Sequence, residues 1–341
     1  MFLKLSIFVV FLAVLLSLYI HYAPLSSISR SHVNWYQRGS YYRLPSGHDM
    51  FYVDSHPNTR PGHSPVDINK DDVVLLIHGF PSSSYDYSTL FTALQKRCKC
   101  RVVAVDHLGF GFSSKPPSYN YTMSNLSSNL LSFLKSKGLE NVHAISHDMG
   151  DTVLTEALSR LEEQGKTSGF KTVTFTNGGM VFSEIGLRLG QRILLSGYGE
   201  MFVEKVPDVF LRLFTLKQLY SIWSKGGDEG RMKLESNEML DLLEYNDGNK
   251  IIHKLSYYLK ERSREENERR WFATLSRLKV PIKLCWGDGD AVAPVKITTE
   301  LVKRARLRDA KVEIMEGIGH FGMLEDAERW MDCVLGEELL V

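Results

Sequence analysis

Ser146-His147-Asp148-Met149-Gly150-Asp151 is the stretch from which this chain is read. Val142-His143-Ala144-Ile145 precedes it, and Val153, Leu154, Ala157, Leu158 and Leu161 follow it at helical spacing. That pattern is a strand, a tight turn and a helix. The turn has the small-x-acid-x-small form of a nucleophile elbow, in which the central residue takes a strained backbone and is presented at the helix N-terminus. Its neighbours are small because strand and helix pass close to each other there. Serine is the usual central residue, and here it is Asp148. A carboxylate attacking an ester gives only an unstable anhydride, whereas one attacking a saturated carbon gives an alkyl ester that water can cleave. The competing reading is that Asp148 simply caps the helix behind it.

At 341 residues the chain can hold one large α/β domain with an insertion. A formal charge of +1 and the lack of a long basic stripe give no case for nucleic acid as a partner. Cys98, Cys100, Cys285 and Cys333 lack paired metal spacing, so neither zinc nor any other cofactor is called for. Cys98 and Cys100 flank a single lysine and are expected to be too constrained to bridge each other.

Residues 6–20 are uncharged and strongly apolar, and with residues 2–5 they approach the roughly 20 residues of a membrane span. His21-Tyr22-Ala23 is a poor cleavage site, so residues 1–23 are expected to be an uncleaved transmembrane signal anchor rather than a signal peptide. Its orientation is open, because Lys4 on one side faces Arg30, Arg38 and Arg43 on the other. The sequons Asn120-Tyr121-Thr122 and Asn125-Leu126-Ser127 would suit a glycosylated, lumenal body.

Further along, residues 41–43 and 50–54 alternate around Pro45-Ser46-Gly47-His48-Asp49 and predict an edge hairpin. Residues 55–72 are rich in Pro, Gly, Ser, Asn and Asp and read as a loop. Val73-Val74-Leu75-Leu76-Ile77 and Arg101-Val102-Val103-Ala104-Val105 are runs of the kind buried on both faces of a sheet. A helix over 123–137 and a strand at Thr172-Val173-Thr174-Phe175-Thr176 flank the elbow. Residues 180–277 carry helical patterns without a buried strand and predict an inserted helical lid. The charged stretch 260–270 reads as a solvated helix face. Strands resume at Pro281-Ile282-Lys283-Leu284-Cys285-Trp286 and Lys311-Val312-Glu313-Ile314-Met315. The chain therefore divides into the anchor, a first core part over 31–179, the lid over 180–277 and a second core part over 278–341. The fold class is α/β, a mainly parallel sheet with helices on both faces.

Two pieces join the elbow. Asp290 follows one late strand in Gly287-Asp288-Gly289-Asp290, and His320 follows the last in Gly317-Ile318-Gly319-His320. Sites in such sheets lie at the carboxyl ends of strands, so Asp148, Asp290 and His320 are expected to converge. Their order is nucleophile, acid, histidine. By spacing alone Asp288 competes with Asp290 for the acid.

These motifs, with His78-Gly79-Phe80-Pro81 and Leu108-Gly109-Phe110-Gly111-Phe112-Ser113, resemble the epoxide hydrolase and haloalkane dehalogenase branch of the α/β-hydrolases. The resemblance implies that Asp148 attacks an sp3 carbon. It implies that His320, oriented by Asp290, activates water against the resulting ester, and it selects Asp290 over Asp288. It assigns the oxyanion hole to the backbone N–H groups of Phe80 and Met149, with the Phe80-Pro81 bond cis. It also points to a membrane-bound group within the branch, and so to the endoplasmic-reticulum membrane.

Met149 departs from the tryptophan common after the nucleophile, whose indole N–H holds a halide in dehalogenases; methionine has no such donor. Dehalogenation is therefore demoted in favour of epoxide opening, which needs an acid for the developing alkoxide. Among lid tyrosines Tyr198, Tyr220, Tyr245, Tyr257 and Tyr258, the resemblance favours Tyr258. The expected substrate is a small apolar or lipid-like epoxide. Hydrolysis of another lipid linkage and a lipid-binding or scaffolding protein without turnover are the alternatives.

Overall fold

The computed structural model describes residues 28–56, 72–166 and 169–339. The transmembrane helix expected over residues 1–23 lies outside them, as does most of the loop expected at 55–72. Among the described residues no helix is long and apolar enough to cross a membrane.

The elements run as α1 (Arg30–Arg38), β1 (Gly39–Arg43), β2 (Asp49–Asp54), β3 (Val73–Ile77), α2 (Phe91–Cys98), β4 (Arg101–Val105), α3 (Met123–Ser136), β5 (Val142–His147), α4 (Met149–Glu163) and β6 (Phe170–Thr176). There follow only helices: α5 (Leu189–Leu195), α6 (Gly199–Lys205), α7 (Asp208–Tyr220), α8 (Glu229–Glu244), α9 (Ile252–Leu255), α10 (Tyr258–Arg262) and α11 (Glu265–Arg277), with short 3-10 turns. The chain then returns to the sheet with β7 (Ile282–Gly287), α12 (Lys296–Arg304), β8 (Lys311–Met315), α13 (Gly322–Glu325) and α14 (Ala327–Leu339).

The strands form a single sheet in the order β1-β2-β4-β3-β5-β6-β7-β8. β1 and β2 pair antiparallel, as the hairpin pattern predicts, and β2 joins β4 antiparallel. Every other pairing is parallel. The continuous apolar runs have a direct cause in the layers. Val73, Leu75 and Ile77 of β3 enter one core with Leu130 and Phe133 of α3 and Val153 and Leu154 of α4. Val74 and Leu76 enter the opposite core with Phe91 and Leu94 of α2 and Trp330 and Val334 of α14. With both faces covered, no position in β3 can be polar.

Two sequence expectations are corrected. Cys98 and Cys100 do bridge each other, with their Cα atoms 5.1 Å apart. Lys99 between them adopts a left-handed backbone (φ 46°), which turns the two side chains together. A second bridge joins Cys285 on β7 to Cys333 on α14. The charged stretch 260–270 is also more than a solvated face: Glu261, Arg262 and Glu268 are all buried.

The carboxyl ends of the parallel strands share one edge, and the helices between β6 and β7 lie over it. They are tied to the core by polar contacts as well as packing. Trp271 Nε1 donates to Glu156 Oε2 of α4 at 2.7 Å, and His32 of α1 meets Glu238 of α8 at 2.7 Å.

Candidate active site

Asp148 stands between β5 and α4 with φ 47° and ψ −111°, a conformation that costs a non-glycine residue of order 1–3 kcal/mol. Its side chain makes no capping bond to α4, so the simple cap reading fails. Gly150 follows because a Cβ there would lie 2.6 Å from the carbonyl oxygen of Ile77 and 2.7 Å from that of His78. Ser146 at the other small position donates to Asp151 Oδ1 at 2.6 Å and helps fix the turn.

The Asp148 carboxylate is almost fully buried and each oxygen has its own partner. Oδ2 accepts the Phe80 N–H at 3.1 Å. The Phe80-Pro81 bond is cis. Met149 is the first residue of α4, so its N–H is one of the amides that has no acceptor within the helix. The Met149 side chain, by contrast, lies in the apolar core.

Asp290 Oδ1 accepts the N–H groups of Val292 and Ala293 at 2.7 and 2.9 Å, and its Oδ2 meets His320 Nδ1 at 2.7 Å. Asn177, at the end of β6, adds a bond the sequence reading missed: its Nδ2 donates to Asp290 Oδ2 at 2.7 Å. Asn177 Oδ1 also accepts from Gly287 N–H at 3.1 Å, locking the ends of β6 and β7 together. Asp288 points elsewhere, its Oδ1 accepting from Gly317 N–H at 2.7 Å. Geometry therefore pairs His320 with Asp290. The three expected residues, Asp148, Asp290 and His320, all lie at one site.

The electrostatics follow from this placement. Burial raises the Asp148 pKa, but the Arg262 guanidinium, then His320, outweigh it and hold the carboxyl below the usual carboxylate range. Burial lowers the His320 pKa, but Asp290 and then Asp148 outweigh that and hold the imidazole above its ordinary value. His147, ring to ring with His320 at 4.8 Å, is brought down to about 4, mainly by burial, and stays neutral.

Of the lid tyrosines, Tyr258 is the one packed against residues that bond Asp148. It is 1% exposed, and its ring lies 5.7 Å from the Phe80 ring and 4.7 Å from the Arg262 guanidinium, two residues that both bond Asp148. Burial, then the Asp148 charge, push its pKa well above 10. Tyr198 is 71% exposed, Tyr220 Oη takes a bond from Asn237, Tyr245 packs on Phe112, and Tyr257 Oη takes a bond from Arg264. Arg262 carries no sequence signal that marks it, since it sits among other charged residues at the end of a short helix.

Above Asp148 and His320 is a cavity of about 70 Å³ walled mainly by Phe80, Leu194, Leu219, Ile222, Ile252 and Val292. As for metals, among the described residues one group brings ligand atoms within reach of one another, Cys285, Glu313 and Cys333. Both of its sulfurs are spent on the disulfide.

Known proteins share this architecture. The chain is 29% identical to the mesoderm-specific transcript protein of Mus musculus over 94% of its own length and 92% of that protein's. Among solved structures, a thermophilic esterase from Thermogutta terrifontis superposes with a TM-score of 0.65 at 15% identity, covering 89% of this chain and 99% of that one. The Cif epoxide hydrolase from Acinetobacter nosocomialis gives 0.64 at 18% identity, covering 86% of each chain. At such identities the two structures share the fold alone. Residues 72–327 match the family model of the alpha/beta hydrolase fold, and the chain belongs to that family.

Proposed function

We propose that this hydrolase opens an epoxide on a small apolar, lipid-like molecule through a covalent ester on Asp148. The observation that carries the reading is the environment of Asp148 itself, a carboxylate at the strained elbow whose Oδ2 already occupies the Phe80 N–H, with the Tyr258 ring packed on the Arg262 guanidinium beside it. The anion is held ready, Oδ1 is the attacking atom, and Tyr258 gives its proton to the ring oxygen. Water then adds to the ester carbonyl with His320 as base, and the oxyanion forms on Oδ2. Each N–H facing it contributes about 2.7–4 kcal/mol. The cavity above Asp148 is walled by apolar side chains, among them Leu194 of α5 and Leu219 of α7, which suits the alkyl part of such a substrate. We place the protein at the endoplasmic-reticulum membrane, held by its N-terminal apolar segment. The neighbouring esterases and epoxide hydrolase are compatible with several chemistries on this fold, and the aspartate at the elbow is what favours epoxides over esters.

The test is a single-turnover experiment with styrene oxide and methyl epoxystearate in heavy-oxygen water. Wild type should carry label into Asp148, and His320→Gln should stall as a stable adduct on the peptide bearing Asp148. Tyr258→Phe should slow alkylation about 10²-fold, the size typical of general acid catalysis, and leave ester hydrolysis unchanged. Label appearing only in the diol, or an adduct on another residue, would sink the two-step mechanism. Wild-type alkylation in Tyr258→Phe would remove that side chain as the acid.

A further inference from the structure

Arg262, the last residue of α10, is 2% exposed. Its Nε donates to Thr152 Oγ1 at 2.8 Å and its Nη2 to the Asp148 carbonyl oxygen at 2.6 Å. Nη1 lies 3.4 Å from Asp148 Oδ1. The guanidinium also stacks 4.7 Å over the Tyr258 ring. A Cβ on Gly179 would fall 2.7 Å from Nη1, so the site is closed around the cation from that side too. Burying a cation this completely is costly unless it is paired and fully hydrogen-bonded, and here both terminal nitrogens are directed at the residue proposed to react.

We propose that Arg262 is a further catalytic group, acting on the oxygen that leaves in the second step. The inference rests on Asp148 being the nucleophile. Phe80 N–H fixes Oδ2 as the oxygen that stays, so Oδ1 forms the bond to the substrate carbon. In ester hydrolysis, water adds to Cγ, its proton passes to His320, and the carbonyl electron pair moves onto Oδ2. On collapse the Cγ–Oδ1 bond breaks and its electron pair leaves on Oδ1. His320 returns the proton to Oδ1, which departs in the product alcohol, while Asp148 keeps an oxygen from water and passes that oxygen's remaining proton to the Tyr258 phenolate left by ring opening, which restores both groups. Nη1 stands beside the atom on which that charge develops. The same contact does nothing for alkylation, because there Oδ1 loses negative charge. Arg262 therefore favours the two charged states of Oδ1, at rest and in ester cleavage, over the neutral ester between them.

This asymmetry is the test. Quenched-flow measurements with styrene oxide on the full-length chain would follow ester formation and decay by intact mass. Arg262→Met should not slow alkylation and should slow ester hydrolysis by about 10²-fold, the usual effect of losing one such donor. The ester should then accumulate in the steady state. Arg262→Lys keeps the charge but loses the fork, and should shift the same step in the same direction. Thr152→Val frees Nε while leaving the guanidinium present, and should slow hydrolysis severalfold without slowing alkylation. If Arg262→Met does not fold, the lysine and Thr152 variants decide the matter. Ester decay at the wild-type rate in these variants, or equal slowing of both steps, would overturn the role of Arg262. Failure of His320→Gln to form any ester on Asp148 would instead overturn the nucleophile itself.

Discussion

In the proposed mechanism His320 has to take a proton from water, yet in the resting site it is held above the ordinary imidazole value. Burial opposes that shift, while Asp290 and Asp148 produce it. The two carboxylates differ in what happens to them next. In the proposed reaction Asp290 keeps its charge throughout, whereas Asp148 becomes a neutral ester. Removing a nearby negative charge lowers an imidazole pKa. The rate of ester hydrolysis should therefore rise with pH, with its inflection below the pH at which His320 titrates in the resting enzyme. NMR titration of the free protein against single-turnover hydrolysis at a series of pH values would compare the two. An inflection at or above the resting value would show that Asp148 is not what holds the proton on His320. Alkylation should behave differently, staying flat down through the usual carboxylate range, because Arg262 and His320 depress the Asp148 pKa.

Strand, turn and helix at the elbow make one mechanical unit, and its tolerance can be tested. Gly150→Ala puts a Cβ 2.6 Å from a backbone carbonyl of β3, and neither element can yield cheaply. Overpacking of this kind typically costs about 1–3 kcal/mol, and it would shift Asp148 as well. Gly169→Ala is the control, since its Cβ would meet nothing closer than 3.8 Å. Chemical denaturation should therefore separate the two variants, and equal stability would refute the close approach.

The sheet was legible in the sequence because β3, β4 and β5 are covered on both faces, which leaves runs that only a buried strand can carry. The triad was legible because each member ends a strand. The helices between β6 and β7 were legible only as a group. They are short and interrupted, for example at Asn246 and Asp247, which hold φ of 53° and 59°. Arg262 was read as one more solvated charge, because a run of acidic and basic residues does not say which of them faces inward.

At the scale of the whole molecule, the chain has 4 cysteines and no free one among the described residues. The two bridges lie on one side of the sheet, where Cys98 and Cys100 close the end of α2 and Cys285 ties β7 to α14 through Cys333. Such bonds persist in oxidising compartments, so a lumenal body is the expected orientation for the proposed anchor. The exposed Asn120 is then the better glycan acceptor, since Asn125 spends its Nδ2 on the Asn120 carbonyl at 2.8 Å. Maleimide labelling of the denatured, unreduced protein should give no adduct, and labelling after reduction should reach all four thiols. A thiol that labels before reduction would place the body in a reducing environment. The paired sulfurs bear on self-damage too. Thiolates are the softest nucleophiles a protein carries, and epoxides are alkylating agents that would consume them. With every cysteine among the described residues locked in a bridge, no thiolate competes with Asp148 for the epoxide proposed as substrate.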